Sequence, residues 1–283
     1  MRLCLFDGWR LGVWTDDGRV VDVSDHVVAA DPRDRMQAAI EAWDDVREAL
    51  AAAVAAAAST APRAAEVRVR APLPRPSKIV AAPINYLDHQ EEMSALTGVR
   101  LEPLDHYGWF LKAPSSVIGP DEPVRLPFPQ RRTDYEGELG VVIGRTARGV
   151  SAREALDHVF GYVPLLDITL RGSEDRSFRK SLDGFTPVGP AVVTADEVGD
   201  PGGLHLRLWL NGELRQHANT LELVYDVPRL VEWASAAMTL HPGDVIATGT
   251  PAGVGAIAPG DEIVLRVDRV GELTMRVESG GEA

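Results

Sequence analysis

The stretch Asp134-Tyr135-Glu136-Gly137-Glu138-Leu139-Gly140-Val141-Val142-Ile143 decides how this chain is read. Its second half is apolar and β-branched, the pattern of a buried β-strand. Side chains alternate across a strand, so Glu136 and Glu138 fall on one face. Two carboxylates that share a face and run into a core repel each other and lose water. Shared protons, nearby cations or a metal ion must offset that cost. A third carboxylate, Asp167, stands in the apolar run Val163-Pro164-Leu165-Leu166-Asp167-Ile168 and needs a partner for the same reason. An E-x-E alternation alone is more often a solvated strand face, and it is Asp167 that shifts the reading toward a metal. Three carboxylates in apolar settings, with no His or Cys beside them, suit a hard cation: Mg2+, Mn2+ or Ca2+.

The chain has 283 residues, enough for a sizeable core in one large domain or one large plus one small. Its net charge of −13 argues against nucleic acid as a partner. An anionic substrate gains nothing from such a field and needs local cations. The single cysteine, Cys4, excludes an intrachain disulfide and a Cys-based zinc site, and reads as a small buried apolar residue. The N-terminus lacks a sustained apolar leader and no apolar run reaches spanning length, so a cytoplasmic protein away from membranes is expected. The 29 basic residues include only three lysines, Lys78, Lys112 and Lys180, leaving 26 arginines. A GC-rich genome explains most of that bias, yet lysine is kept at three places, as if a compact point charge were needed there.

Turn signals at Asp7-Gly8 and Asp17-Gly18 divide residues 1 to about 28 into two or three short antiparallel strands. Residues 33–59 are Ala-rich and helical, with charged positions from Arg35 to Glu48 on a solvated side. Pro72, Pro74 and Pro76 then form a stiff extended connector. These features predict a small N-terminal α/β domain over residues 1–75 and a second domain over 76–283. In the latter, a strand at Lys78–Ala82 leads to a helix from about Asp88. Many short strands between Gly/Pro turns follow, with helices near 152–158 and 226–239. Without clean βαβ alternation, an α+β, predominantly β architecture is expected rather than a doubly wound sheet.

Other residues bear chemistry. His89 and Glu92 lie three apart at the start of a helix and share a face, the arrangement of a carboxylate-oriented general base. An exposed acidic first turn is the plainer reading of the pair alone. Thr248-Gly-Thr250-Pro-Ala-Gly-Val-Gly255 is a Gly-rich loop whose amides and hydroxyls suit a carboxylate; no Lys-Ser/Thr follows, so it is not a P-loop. Arg171, Arg176, Arg179 and Lys180 either sit on the surface or supply local cations for an acidic substrate. Tyr107, Trp109 and Phe128 suit a pocket or, more simply, the core.

The landmarks occur in a fixed order: Lys78-Ile-Val, Asn85-Tyr86-x-x-His89, Phe110-Leu-Lys112-Ala-Pro-Ser-Ser-Val-Ile-Gly119, Asp134–Gly144, Asp167-Ile-Thr-x-Arg171, Lys180-Ser-x-Asp-Gly-Phe-x-Pro-Val-Gly-Pro190, Asn211-Gly-Glu-x-Arg-Gln216 and Leu240–Gly255. In this order they resemble the fumarylacetoacetate hydrolase family from about Lys78 to Glu272. The resemblance implies a mixed β-sandwich roll, a homodimer, and a Mg2+ or similar ion on Glu136, Glu138 and Asp167. It further implies a catalytic His89–Glu92 dyad with Lys180 in the site, and substrate contacts from Lys112, Arg171, Thr250 and Tyr86. The implied activity is hydrolysis of the carbon–carbon bond of a 2,4-dioxo acid, of the kind met in aromatic-compound catabolism, to pyruvate or a similar oxo acid plus a carboxylic acid. An oxaloacetate-type decarboxylase, an isomerase or hydratase of an unsaturated oxo acid, and a non-catalytic binder are the alternatives. Two positions depart from the family pattern: Gly172 stands where an Asp is common, and Glu174 where a Gln is expected. Substrate recognition is the property these departures touch.

Overall fold

The structure, a computed structural model, describes residues 1–280 except Val99 and Pro103. The last three residues of the expected second domain thus lie outside the described residues. Gly137–Ile143 and Val159–Leu166 pair antiparallel and are buried along their whole length. They form the middle of a ten-stranded mixed sheet. From edge to edge its strands are Val20–Asp22, Arg10–Trp14, Arg2–Phe6, Val192–Thr194, Val159–Leu166, Gly137–Ile143, Val245–Ala247, Ile79–Ala81 and Phe110–Lys112, with Val69–Arg70 beside Arg2–Phe6.

The apolar runs follow from cover on both faces. On one face Leu139, Val141, Tyr162 and Leu166 share a core with Leu206, Leu208, Leu265, Leu273 and Met275. The last five belong to a five-stranded sheet ordered Glu213–Asn219, His205–Leu210, Glu262–Val267, Gly271–Ser279, Val124–Leu126. On the other face Val142, Phe160, Val163 and Leu165 share a core with Leu3, Leu5, Met36, Ile40 and Leu50. The N-terminal strands therefore extend the central sheet, with Arg2 and Leu3 paired to Val193 and Val192. The connector carries buried Ala71 and Leu73.

One helical expectation gains detail and one changes. The Ala-rich run is helical and divides into two helices, Arg35–Glu41 and Trp43–Ala57. Ala42 leaves helical backbone between them, and Trp43 packs edge-on against Phe160 with ring centroids 5.0 Å apart. The helix expected near 152–158 is a single 3-10 turn, Ala155–His158, which buries only Ala155. One short face with one buried residue gives a longer helix nothing to pack on. Helices Leu87–Thr97 and Val227–Ala237 lie where the sequence places them.

A small three-stranded sheet, Thr169–Leu170, Thr133–Tyr135 and Gly255–Ala256, positions the site. Each strand continues a strand of the large sheet. Thr133–Tyr135 passes into Gly137–Ile143 at Glu136, Val159–Leu166 into Thr169–Leu170 at Asp167, and Val245–Ala247 into Gly255–Ala256 through the Gly-rich loop. The acids expected on one strand thus stand where three chain passages cross from one sheet to another.

The central strands leave no room for an added methyl. A Cβ on Gly161 would lie 2.1 Å from the Val193 carbonyl oxygen. Gly161→Ala should therefore destabilise the protein by about 3 kcal/mol. Urea denaturation checks this; an unchanged midpoint contradicts the packing described.

Candidate active site

Glu136, Glu138 and Asp167 are all buried, and each offers an oxygen within 4.8 Å of the others. Asp167 N–H donates to the Glu136 carbonyl at 2.8 Å, which pins the two chain passages together. Cations meet the charge. Lys180 Nζ donates to Glu136 Oε2 at 2.7 Å, Asp167 Oδ2 at 2.5 Å and Thr169 Oγ1 at 2.7 Å. Lys112 Nζ donates to Asp167 Oδ1 at 2.5 Å and to the Lys180 and Phe185 carbonyls at 2.6 and 3.0 Å. Arg171 bridges Asp134 at 2.7 Å and Glu136 at 2.9 Å, while Arg132 holds Asp134 through two further bonds.

Burial opposes ionisation of Glu136, but Lys180 and Arg171 outweigh it and hold the carboxyl down at about 2. Glu138 goes the other way. Burial first, then Asp167, push it well above the ordinary carboxylate range, against the Gly249 N–H at 2.8 Å. Burial also works against Lys180, yet Asp167 and Glu136 raise it; burial lowers Lys112 although Asp167 opposes. Among the described residues no cation lies in ion-pair contact with Glu138. An all-oxygen donor set with one acid lacking a counter-charge fits a divalent ion.

His89 is buried with Nδ1 3.3 Å from Glu92 Oε2, and the other Glu92 oxygen accepts the Gly253 N–H at 3.0 Å. Burial raises Glu92, but the His89 hydrogen bond and the Gly253 amide outweigh it and keep the acid low. Only glycine suits position 253: its φ is +97° and a Cβ would lie 2.0 Å from the Arg215 carbonyl oxygen. The Gly-rich loop is further tied by Gln216. Its amide nitrogen donates to Thr250 Oγ1 and the Pro251 carbonyl, both at 2.8 Å, and its oxygen accepts the Gly137 N–H at 2.9 Å.

A cavity of about 330 Å³ brings these groups together. It is lined by His89, Glu136, Glu138, Asp167, Arg171, Arg176, Arg179, Lys180 and Thr250, and on its apolar part by Ala82, Ile84, Met93, Leu101 and Phe110. Its volume sits at the small end of ligand sites and matches a short oxo acid.

Two expected substrate contacts have other places. Lys112 is 1% exposed, and its three protons are spent on Asp167 and two carbonyls, so it braces Asp167 instead of facing the cavity. Tyr86 is buried with Ala218 and Leu223 and does not line the cavity. Thr250 does line it, but its hydroxyl donates to the Gly137 carbonyl at 2.9 Å and keeps only acceptor capacity. Trp109 and Phe128 pack against the main core.

Sequence reasoning gave Gln216 and Asn85 no role beyond marking the family order, and passed over Ile84. Asn85 clamps the site from below, donating to the Tyr225 and Thr248 carbonyls and accepting the Tyr225 N–H. Ile84 sits in the cavity wall with φ +49°, rare for a β-branched residue. Asn85 carries a signal, since an amide in the apolar run over residues 81–87 needs partners, whereas Gln216 stands among polar residues and carries none. Ile84 carries none.

Comparison with known proteins agrees with this geometry. The family model described as fumarylacetoacetate (FAA) hydrolase, C-terminal, matches residues 78–278, and the chain belongs to that family. The chain is 42% identical over 287 aligned residues to maleylpyruvate hydrolase of Aquipseudomonas alcaligenes, covering 99% of this chain and 100% of that protein. The crystal structure of maleylpyruvate hydrolase from Sphingobium sp. SYK-6, in complex with manganese(II) and pyruvate, superposes with a TM-score of 0.86 at 42% identity, over 99% of this chain and 100% of that one. A bifunctional 4-hydroxyphenylacetate degradation isomerase/decarboxylase of Salmonella dublin is 41% identical over 211 residues, 73% of this chain but 48% of that protein.

The two glutamates should respond differently to substitution. Glu136→Ala deprives both Lys180 and Arg171 of a buried partner and should cost about 3 kcal/mol without metal. Glu138→Gln keeps an acceptor for Gly249 and breaks no ion pair, so it should cost under about 1 kcal/mol. Both should abolish high-affinity Mn2+ binding by calorimetry. Equal melting shifts for the two metal-free variants would contradict this charge assignment.

Proposed function

We propose that the protein is a divalent-metal-dependent hydrolase that cleaves the carbon–carbon bond of an acylpyruvate, giving pyruvate or a similar oxo acid and a carboxylic acid. The observation that carries this reading is that one cavity is lined by both the acid triad and His89 of the dyad. A decarboxylase needs only the first of these.

A Mg2+ or Mn2+ ion on Glu136, Glu138 and Asp167 would supply Lewis-acid polarisation of the substrate's carboxylate and 2-oxo oxygens. The protein's own groups do the rest. With Glu92 accepting the Nδ1 proton of His89, Nε2 is the ring nitrogen left to act as base, on a residue that lines the cavity. That nitrogen takes a proton from water as the oxygen attacks the distal carbonyl carbon. The bond between this carbon and the methylene breaks, its electron pair leaves as the pyruvate enolate, and the imidazolium returns a proton to the methylene. The Lys180 ammonium stands in the same cavity to stabilise the enolate charge. The apolar wall keeps bulk water from competing.

The dioxo-acid ultraviolet absorbance tests the reading. Its loss with Mn2+ or Mg2+ should yield pyruvate and a carboxylic acid, and EDTA should stop it. His89→Ala should lower kcat by about 100- to 10,000-fold. Turnover of oxaloacetate alone, unaffected by His89→Ala, would replace the hydrolase with a decarboxylase.

A further inference from the structure

We infer that Arg176 and Arg179 form a second carboxylate-reading subsite in this cavity, so that the ligand it selects is a 2-oxo acid with a carboxylate at its far end. The inference rests on the oxo-acid reading above and assigns residues that it leaves without a role.

Four cationic side chains line the cavity, and they divide into two pairs. Arg171 and Lys180 are each bonded to two carboxylates of the protein. Arg176 and Arg179 touch none among the described residues. Arg179 donates through Nε to the Glu174 carbonyl at 2.7 Å and through Nη1 to the Leu170 carbonyl at 3.4 Å. Both partners are neutral, and they fix the guanidinium while leaving its charge uncompensated. The Arg176 guanidinium lies 4.9 Å from the centre of the Tyr107 ring, again with no anion. Both arginines are half-buried, which makes leaving them unpaired costlier than at an open surface.

The charge count points the same way. Inside the cluster the acids Asp134, Glu136, Glu138 and Asp167 face an equal number of cations: Lys112, Arg132, Arg171 and Lys180. Even with Glu92 counted as one further acid, a divalent ion and two further arginines leave the site positive inside a chain of net charge −13. A ligand with one carboxylate answers the ion; a ligand with two answers the arginines as well. A guanidinium held by its Nε presents a fork suited to a carboxylate.

The departures from the family pattern belong to the same device. Glu174 does not point at the cavity. It makes a two-pronged pair with Arg131, both bonds 2.8 Å, and Arg131 also donates to the Arg171 carbonyl at 3.0 Å. A Cβ on residue 172 would lie 2.2 Å from Glu174 Oε2 and 2.3 Å from Arg131 Nη2. Gly172 makes room for this clasp, the clasp turns the Glu174 carboxylate away, and the Glu174 carbonyl is left to orient Arg179. An acid at 174 therefore does not repel an anionic ligand.

The test uses full-length protein loaded with Mn2+ and two non-cleavable ligands of equal length, 2-oxoadipate and 2-oxohexanoate, which differ in the terminal carboxylate. Calorimetry should show 2-oxoadipate binding about 10- to 100-fold tighter. Arg179→Gln should bring that ratio to within about threefold, Arg176→Gln should reduce it, and Arg179→Lys should restore part of it. Equal affinities for the wild-type protein, or a ratio unchanged in both glutamine variants, would overturn the subsite while leaving the hydrolase reading intact. If neither ligand binds although Mn2+ does, the oxo-acid reading fails and the subsite with it.

Discussion

The neutralisation of Asp167 is the interaction on which the site depends. This carboxylate is 1% exposed and takes an ammonium on each oxygen, Lys112 on one side and Lys180 on the other, both at 2.5 Å. A buried carboxylate without such partners costs several kcal/mol and takes up a proton. With them it stays in place as a donor at the point where the central strand leaves the large sheet. Lys180 then reaches Glu136, and Arg171 links Glu136 to Asp134, so one charge network ties two crossing passages. The third is tied by Gln216 and by the Gly249 amide on Glu138.

Such a network fixes the three acids relative to one another, as a donor set for a metal would require. The acids, Lys112 and Gln216 belong to sheet crossings and the segments packed beneath them. His89 and Glu92 come from a helix whose N-terminal turn is held to the loop by the bond from Gly253 to Glu92. Ile84, in the left-handed region at φ +49°, costs on the order of 1–3 kcal/mol. The three hydrogen bonds of neighbouring Asn85 hold that conformation and so place an apolar side chain against the cavity.

Much of this was legible in the sequence, for physical reasons that differ by residue. Glu136, Glu138 and Asp167 stood out because acids in apolar runs demand compensation, and they converge. The mixed, mainly β architecture followed from short strands between Gly and Pro turns. What sequence reasoning missed depends on three-dimensional accounting. Lys112 read as a substrate contact because a motif position does not reveal that its protons are already spent. The break at Ala42 was hidden because Ile40-Glu41-Ala42-Trp43-Asp44 holds neither Gly nor Pro to mark it. Gly172 and Glu174 read only as departures that touch substrate recognition, because their meaning lies in Arg131, some forty positions earlier in the chain.

The scarcity of lysine has a structural counterpart. Each of the three lysines sits on a buried acid: Lys112 and Lys180 on Asp167, and Lys78 on Asp244, which is fully buried and contacted at 2.5 Å. An ammonium directs three bonds tetrahedrally. Lys180 uses them on two carboxylates and a hydroxyl, Lys112 on a carboxylate and two carbonyls. A planar guanidinium spreads its donors in one plane and needs more room, so it cannot make either set of contacts. The arginines instead take positions where a planar fork is an advantage: Arg132 and Arg131 on carboxylates in two-pronged pairs, Arg171 bridging two acids, and Arg179 with its fork left open. The composition of the chain thus separates two kinds of cation by the geometry each must satisfy. Whatever bias the genome imposes toward arginine, these two buried acids call for a compact charge that it cannot supply.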